Sequence, residues 1–298
     1  MKEWSLDIGG DILKAALLTW DIDHKTPYEL IRIGSNMLFK LKDLGYVVRI
    51  SKPGVDLDSA TKRLEFVRAL NQQDFPAIRL VPEYRPLVLS NCQVTLWHLE
   101  TELSQGVDWG DFGTLIKDFQ EAGQSVQVDL PRHDPFEKIR ERLDDIEERG
   151  LLEREDLAYF RAQHDRLKEL YTSYKAVLKT SVIHGDAHVG NVIPTKRGLL
   201  LCDFDEVSIG PQEYDLVMSA VGTIRFNYDM KNFEALSNAY GYNILEDPQA
   251  DILIQIRELT MMSWLCQNKG QSKTIDKEIA HRLNTIRSGD RYALWHPM

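Results

Sequence analysis

At 298 residues, with 43% hydrophobic and 28% charged residues, the chain has the composition of a folded globular protein, neither disordered nor collagen-like. A net charge of −10 and a pI near 5.3 argue against nonspecific nucleic-acid binding, which requires a basic surface. No run of about 20 apolar residues is present, and the polar start MKEWSLDIGGD is unlike a signal peptide, so a cytoplasmic protein without membrane contact is expected.

A chain of this length tends to split its core, and two lobes are expected. Leu30–Ile33, Met37–Leu41 and Tyr46–Ile50 read as consecutive antiparallel strands, joined through Gly34-Ser35-Asn36 and Asp43-Leu44-Gly45. Asp58–Leu70 has helical periodicity, with Asp58 or Ser59 as its cap. Ala77–Val81, Leu87–Leu89 and Val94–Leu99 are further strand candidates. From about residue 108 the pattern turns helical: Phe112–Ala122, Pro135–Glu148, Leu157–Leu178, Tyr214–Phe226, Phe233–Ala239, Ile252–Asn268 and Ile275–Ile286. The mixed-sign charges of Glu137–Asp156 suit a solvated helix face. A β-rich first third before a helical remainder implies an α+β protein of two lobes, residues 1–98 and 99–298, with a cleft between them.

Cys92, Cys202 and Cys266 are scattered, with no C-x-x-C pair, so neither a disulfide framework nor a thiolate zinc site is indicated. The chemistry is concentrated in Val182-Ile183-His184-Gly185-Asp186-Ala187-His188-Val189-Gly190-Asn191. After the turn at Lys196-Arg197-Gly198, a strand leads to Asp203-Phe204-Asp205. The order and the Asp-to-Asn spacing match the catalytic loop and metal-binding aspartate of protein kinases. Phosphoryl transfer needs a carboxylate to orient the attacking hydroxyl and accept its proton, and oxygen ligands to hold magnesium on the phosphates. Asp186 fits the first role, Asn191 and Asp203 the second.

The wider pattern, His184-Gly185-Asp186-x-His188-x-x-Asn191, then Asp203-Phe204-Asp205 and Gly210-Pro211-Gln212-Glu213-Tyr214-Asp215-Leu216, resembles the aminoglycoside phosphotransferase and choline kinase-like family. That resemblance implies a bilobal protein-kinase-like fold. It also implies transfer of the γ-phosphoryl of ATP, in some members GTP, to a small-molecule hydroxyl with Mg2+. By the same resemblance His184 is a structural loop residue and Asp215 accepts backbone hydrogen bonds from the loop. Gly34, Ser35 and Asn36 cover the ATP phosphates, and the backbone of Leu96, Trp97 and His98 meets the adenine. Arg49 stands where the phosphate-pairing lysine is expected, and a guanidinium can grip phosphate bidentately. Its glutamate partner is not evident: Arg63 occupies that register, and Glu65, two residues on, faces roughly 200° away on an ideal helix.

His188 reads as a loop-packing residue, and Asp205 with Glu206 as either substrate or second-metal contacts or surface acids. The acidic set Asp203, Asp205, Glu206, Glu213 and Asp215 favours a cationic acceptor, unless magnesium and scaffold duties use those carboxylates. Aminoglycoside-, choline- and sugar-like acceptors all fit. Two other readings stand beside the kinase. One is a nucleotide-binding protein without transfer activity. The other is a metal-dependent hydrolase built on His184, Asp186 and His188, with Asp203 nearby. Oligomeric state has no signature in the sequence.

Overall fold

The computed structural model describes residues 4–298; Met1 to Glu3, the first three residues of the polar start, lie outside them. In chain order the elements are α1 (Leu6–Thr19), β1 (Tyr28–Ile33), β2 (Asn36–Leu41), β3 (Tyr46–Ser51), α2 (Leu57–Gln72), β4 (Leu87–Leu89) and β5 (Cys92–His98). Then follow α3 (Trp109–Gln124), α4 (Pro135–Glu148), α5 (Arg154–Ser173), β6 (Thr180–Ile183), β7 (Val192–Thr195), β8 (Gly198–Leu201) and β9 (Ser208–Pro211). The chain ends with α6 (Val217–Phe226), α7 (Met230–Tyr240), α8 (Asp251–Cys266) and α9 (Lys273–Ser288). Among the described residues no helix is long and apolar enough to cross a membrane. The chain forms two compact units. One holds the residues up to Gly106 with Glu121–Pro131 and Asn191–Asp205; the other holds Val107–Gln120, Arg132–Gly190 and Glu206–Met298. The first unit is therefore discontinuous in sequence.

In the first unit an antiparallel sheet runs in the order β1-β2-β3-β5-β4. Alternation along β2 turns Met37, Phe39 and Leu41 to one face, and the register sets Phe39 opposite Val48 and Val48 opposite Leu96. That face packs on Ile12, Leu13, Ala16 and Leu17 of α1, each burial contributing up to about 1.5–3 kcal/mol. Gly9 permits the approach, since a Cβ there would stand 2.2 Å from Met37 Sδ. The N-cap of α2 is Asp56, whose carboxylate accepts from Asp58 N–H (3.1 Å) and the Ser59 hydroxyl (2.5 Å), not Asp58 or Ser59. Ala77–Val81 is not a strand. Ile78 N–H donates to Leu201 at one end while Val81 N–H donates to Leu96 at the other, so its hydrogen bonds are split between two partners and no ladder forms.

The second unit is helical. Its central helix, α8, buries Leu253, Ile256, Leu259 and Met262 against α4, α5, α6 and α9. Asp134 caps α4 ahead of Pro135, and the charged face of α4 is solvated while Phe136, Ile139, Leu143 and Ile146 are buried. The helix α5 stops at Ser173, short of the expected Leu178. There Glu213 takes the backbone N–H groups of Val177 (2.6 Å) and Leu178 (3.5 Å), which leave the helical path.

Candidate active site

The loop carrying Asp186 leaves the end of β6, which pairs antiparallel with β9. Its shape is set by Asp215, a fully buried carboxylate that accepts from His184 N–H (2.9 Å), Gly185 N–H (2.8 Å) and Gln120 Nε2 (2.8 Å). Burial pushes the Asp215 carboxyl up; His184 and these donors oppose it. Gln120 is held in turn by the Tyr240 hydroxyl at 2.5 Å. Gly185 has φ +81°, and a Cβ there would lie 2.4 Å from the carbonyl oxygen of Glu206, so only glycine fits. The His184 ring lies buried, edge-on to Phe119. His188 Nδ1 accepts from Gly190 N–H (3.1 Å), and its Nε2 is 3.8 Å from Asp186.

Asp186 is partly buried and forms an ion pair with Arg257 of α8 at 2.5 Å. Burial draws its carboxyl upward, but the Arg257 charge, aided by His188, outweighs that and holds it below the ordinary carboxylate value. Asp186 is therefore a carboxylate at neutral pH. Arg257 also donates Nε to Met218 Sδ (3.2 Å) and faces Tyr214, whose phenol burial pushes up to about 12. Sequence reasoning placed Arg257 in a C-terminal helix and gave it no role at the site. A cation on a distant helix carries no local signal of which carboxylate it meets.

Asn191 immediately precedes β7, and Asp203 lies two residues beyond β8. These strands form a hairpin in the first unit, with Val192 opposite Leu201. Cys202 N–H donates to the Asn191 carbonyl (2.9 Å), which closes the hairpin and brings Asn191 and Asp203 to one end. Burial keeps the Cys202 thiol neutral, pushed up to about 12. Asp203 has φ +62°, a left-handed conformation uncommon outside glycine. An amide and a carboxylate are hard oxygen donors, the set magnesium takes. Among the described residues no three His, Cys, Asp or Glu are gathered as a metal site.

The other expected nucleotide residues also lie in the first unit. Gly34 and Ser35 form the turn between β1 and β2, with Gly34 N–H on the Asn36 carbonyl (3.0 Å). Arg49 of β3 forms its ion pair with Asp205, and Asn36 Nδ2 donates to the same carboxylate at 2.9 Å. The partner of Arg49 is thus the second aspartate of Asp203-Phe204-Asp205, not a glutamate of α2. Leu96 and Trp97 are buried in β5. The Leu96 carbonyl accepts from Val81 and His98 N–H donates to Arg79, so both backbone groups are engaged within the unit.

Of the acids set apart in the sequence, Glu213 is buried and accepts from the Tyr174 hydroxyl (2.7 Å) and two backbone N–H groups, and Glu206 pairs with Lys138. With Asp205 and Asp215 engaged as described, four of the five serve the scaffold or an ion pair.

Solved structures of similar fold include a microcompartment-associated aminopropanol kinase (17% identity, 95% of this chain and 98% of that one, TM-score 0.72). Others are an amicoumacin kinase in complex with AMP-PNP and Ca2+ (11%, 89% and 89%, 0.70) and the choline kinase LicA from Streptococcus pneumoniae (14%, 95% and 98%, 0.63). No curated protein matches the chain. The phosphotransferase enzyme family model, APH, matches residues 32–251, and the chain belongs to that family of ATP-dependent phosphotransferases.

Proposed function

We propose that the chain transfers the γ-phosphoryl group of ATP to a hydroxyl of a small molecule, with Asp186 taking the hydroxyl proton. The observation that supports this best is the state of Asp186: a carboxylate held ionised by Arg257, on a loop fixed by two backbone hydrogen bonds to Asp215, which Gln120 holds in turn. The acceptor oxygen bonds to the γ-phosphorus, the bond from that phosphorus to the β-bridging oxygen breaks, and ADP leaves. The acceptor proton passes to Asp186. A carboxylate with a low pKa is a weak base, which suits a transition state that asks for orientation more than proton abstraction.

Asn191 and Asp203 would hold magnesium, which when bound neutralises charge on the phosphates. Gly34, Ser35 and Asn36 would cover the phosphates and Arg49 would grip them, steadied by Asp205. Because Leu96 and His98 already use backbone groups inside the first unit, adenine is better met by the chain just after β5, at Glu100–Glu102. Aminoglycoside-, choline- and sugar-like hydroxyl compounds are the acceptor classes the family suggests.

Thermal denaturation with ATP, with and without magnesium, followed by ADP release over a hydroxyl-compound panel, tests this reading. Stabilisation by ATP plus magnesium and turnover lost in Asp186→Asn are expected. Turnover surviving in that variant would refute the role of Asp186. Magnesium-dependent binding without transfer to any acceptor would favour a protein that only binds nucleotide.

A further inference from the structure

Three cations of the second unit bear on the loop that carries Asp186 or on the residues packed against it. Arg257 pairs with it at 2.5 Å. Lys138 and Arg142 stand one turn apart on α4 and so share a face. Lys138 pairs with Glu206, whose backbone abuts Gly185, the residue before Asp186. Arg142 donates Nη1 to the Thr260 carbonyl (3.0 Å) and the Ser263 hydroxyl (3.4 Å), which sets its guanidinium against α8 one turn beyond Arg257.

Among the described residues Arg142 has no carboxylate within ion-pair distance, although it is half buried and lies in the field of Glu206, Arg257, Glu141 and Asp186. Of these, Glu141 is its exposed neighbour on α4. The nearby His133 adds no positive charge, because burial holds its imidazole down to about 4. A half-buried guanidinium whose direct hydrogen-bond acceptors are all neutral has no counter-ion in contact with it, although carboxylates lie in its field. When Asp186 takes the acceptor proton it loses its charge, and Arg257 then loses the one carboxylate it pairs with among the described residues.

We infer that the acceptor carries an anionic group, a carboxylate or a phosphate ester, beside the hydroxyl that is phosphorylated, and that Arg142 and Arg257 bind it. This rests on the reading of Asp186 as the group that receives the acceptor proton. The anion supplies a contacting counter-ion at Arg142 in the ground state and at Arg257 as Asp186 becomes protonated. An ammonium placed against the two guanidinium groups would be disfavoured, so of the family's acceptor classes those with an anion at that position should be better substrates than matched amino alcohols.

The test uses the full chain with ATP and magnesium and four matched three-carbon acceptors: glycerate, glycerol phosphate, glycerol and aminopropanediol. Glycerate and glycerol phosphate separate the two anions. ADP release with at least one of them should exceed that with glycerol by about tenfold or more in kcat/KM, the scale of one hydrogen bond to a charged group. Arg142→Met should erase that preference, mainly through KM, and Arg142→Lys should restore part of it. A loss in Arg142→Met that leaves the preference intact would assign Arg142 a structural role and overturn the inference. So would turnover of aminopropanediol alone, or of none of the four. In those last two cases, stabilisation by ATP that still requires magnesium would leave the nucleotide half of the proposed function standing.

Discussion

Replacing Asp215 with asparagine removes a charge while nearly preserving shape, which makes it a severe test of how the loop carrying Asp186 is held. One oxygen accepts from His184 N–H and Gln120 Nε2, the other from Gly185 N–H. An asparagine has one oxygen, and its better orientation keeps the first two bonds and turns an NH2 toward Gly185. Leaving that buried N–H unsatisfied costs about 1–3 kcal/mol, and the two retained bonds weaken by about 1 kcal/mol each without the charge. Relief from burying a carboxylate, whose pKa burial already raises, offsets part of this. The net destabilisation is about 2–4 kcal/mol, read by urea unfolding. Because Gly185 directly precedes Asp186, the loop shifts, and a misplacement near 1 Å costs about 100-fold in kcat. Stabilisation by ATP and magnesium should persist. A folded Asp215→Asn with unchanged kcat would refute the claim that these bonds position Asp186.

Arg257→Met should move the acid limb of the pH–rate profile to higher pH, because burial is then opposed only by the weaker remaining charges around Asp186. The sign for stability follows. The Asp186 pKa is depressed in the folded state, so its pairing stabilises fully above the ordinary carboxylate range and is lost as pH falls through the folded value. An acid limb that stays in place would refute the pairing. Gly185→Ala should destabilise the protein by several kcal/mol, about 2–4, and abolish turnover, since φ +81° and the Glu206 carbonyl both exclude a Cβ. Arg49→Met should weaken ATP binding about 10–100-fold by calorimetry, the loss of a hydrogen-bonded charge; an unchanged Kd would remove Arg49 from the phosphate site.

Much of this was legible in the sequence because it is local. Alternation marks β2 and β3, helical periodicity marks α4 almost to the residue, and the run from His184 to Asp203 carries the pattern of the family the chain belongs to. What was missed depends on contacts far apart along the chain. The helix α1 carries a Gly9-Gly10 pair at its fourth and fifth residues that disguises it, and Gly9 is there for Met37, 28 positions away in the numbering. The Arg49–Asp205 and Arg257–Asp186 pairs span |i−j| of 156 and 71, separations across which no pattern of residue types names a partner. The same blindness left open whether the acidic residues face an acceptor or serve the scaffold; four of them are engaged by cations or N–H donors.

The discontinuity of the first unit has a consequence for how the protein is made. Its sheet and α1 are complete once residue 106 is synthesised, but the hairpin of β7 and β8 belongs to the same unit and ends at Asp205. Leu201 supplies the carbonyl that Ile78 N–H needs, so that donor in the Ala77–Val81 segment waits unmet until then. On the ribosome the first unit therefore cannot finish folding as an N-terminal domain ordinarily does. Expressed alone, residues 1–106 should be prone to aggregate, and supplying the hairpin as a separate peptide should improve their solubility.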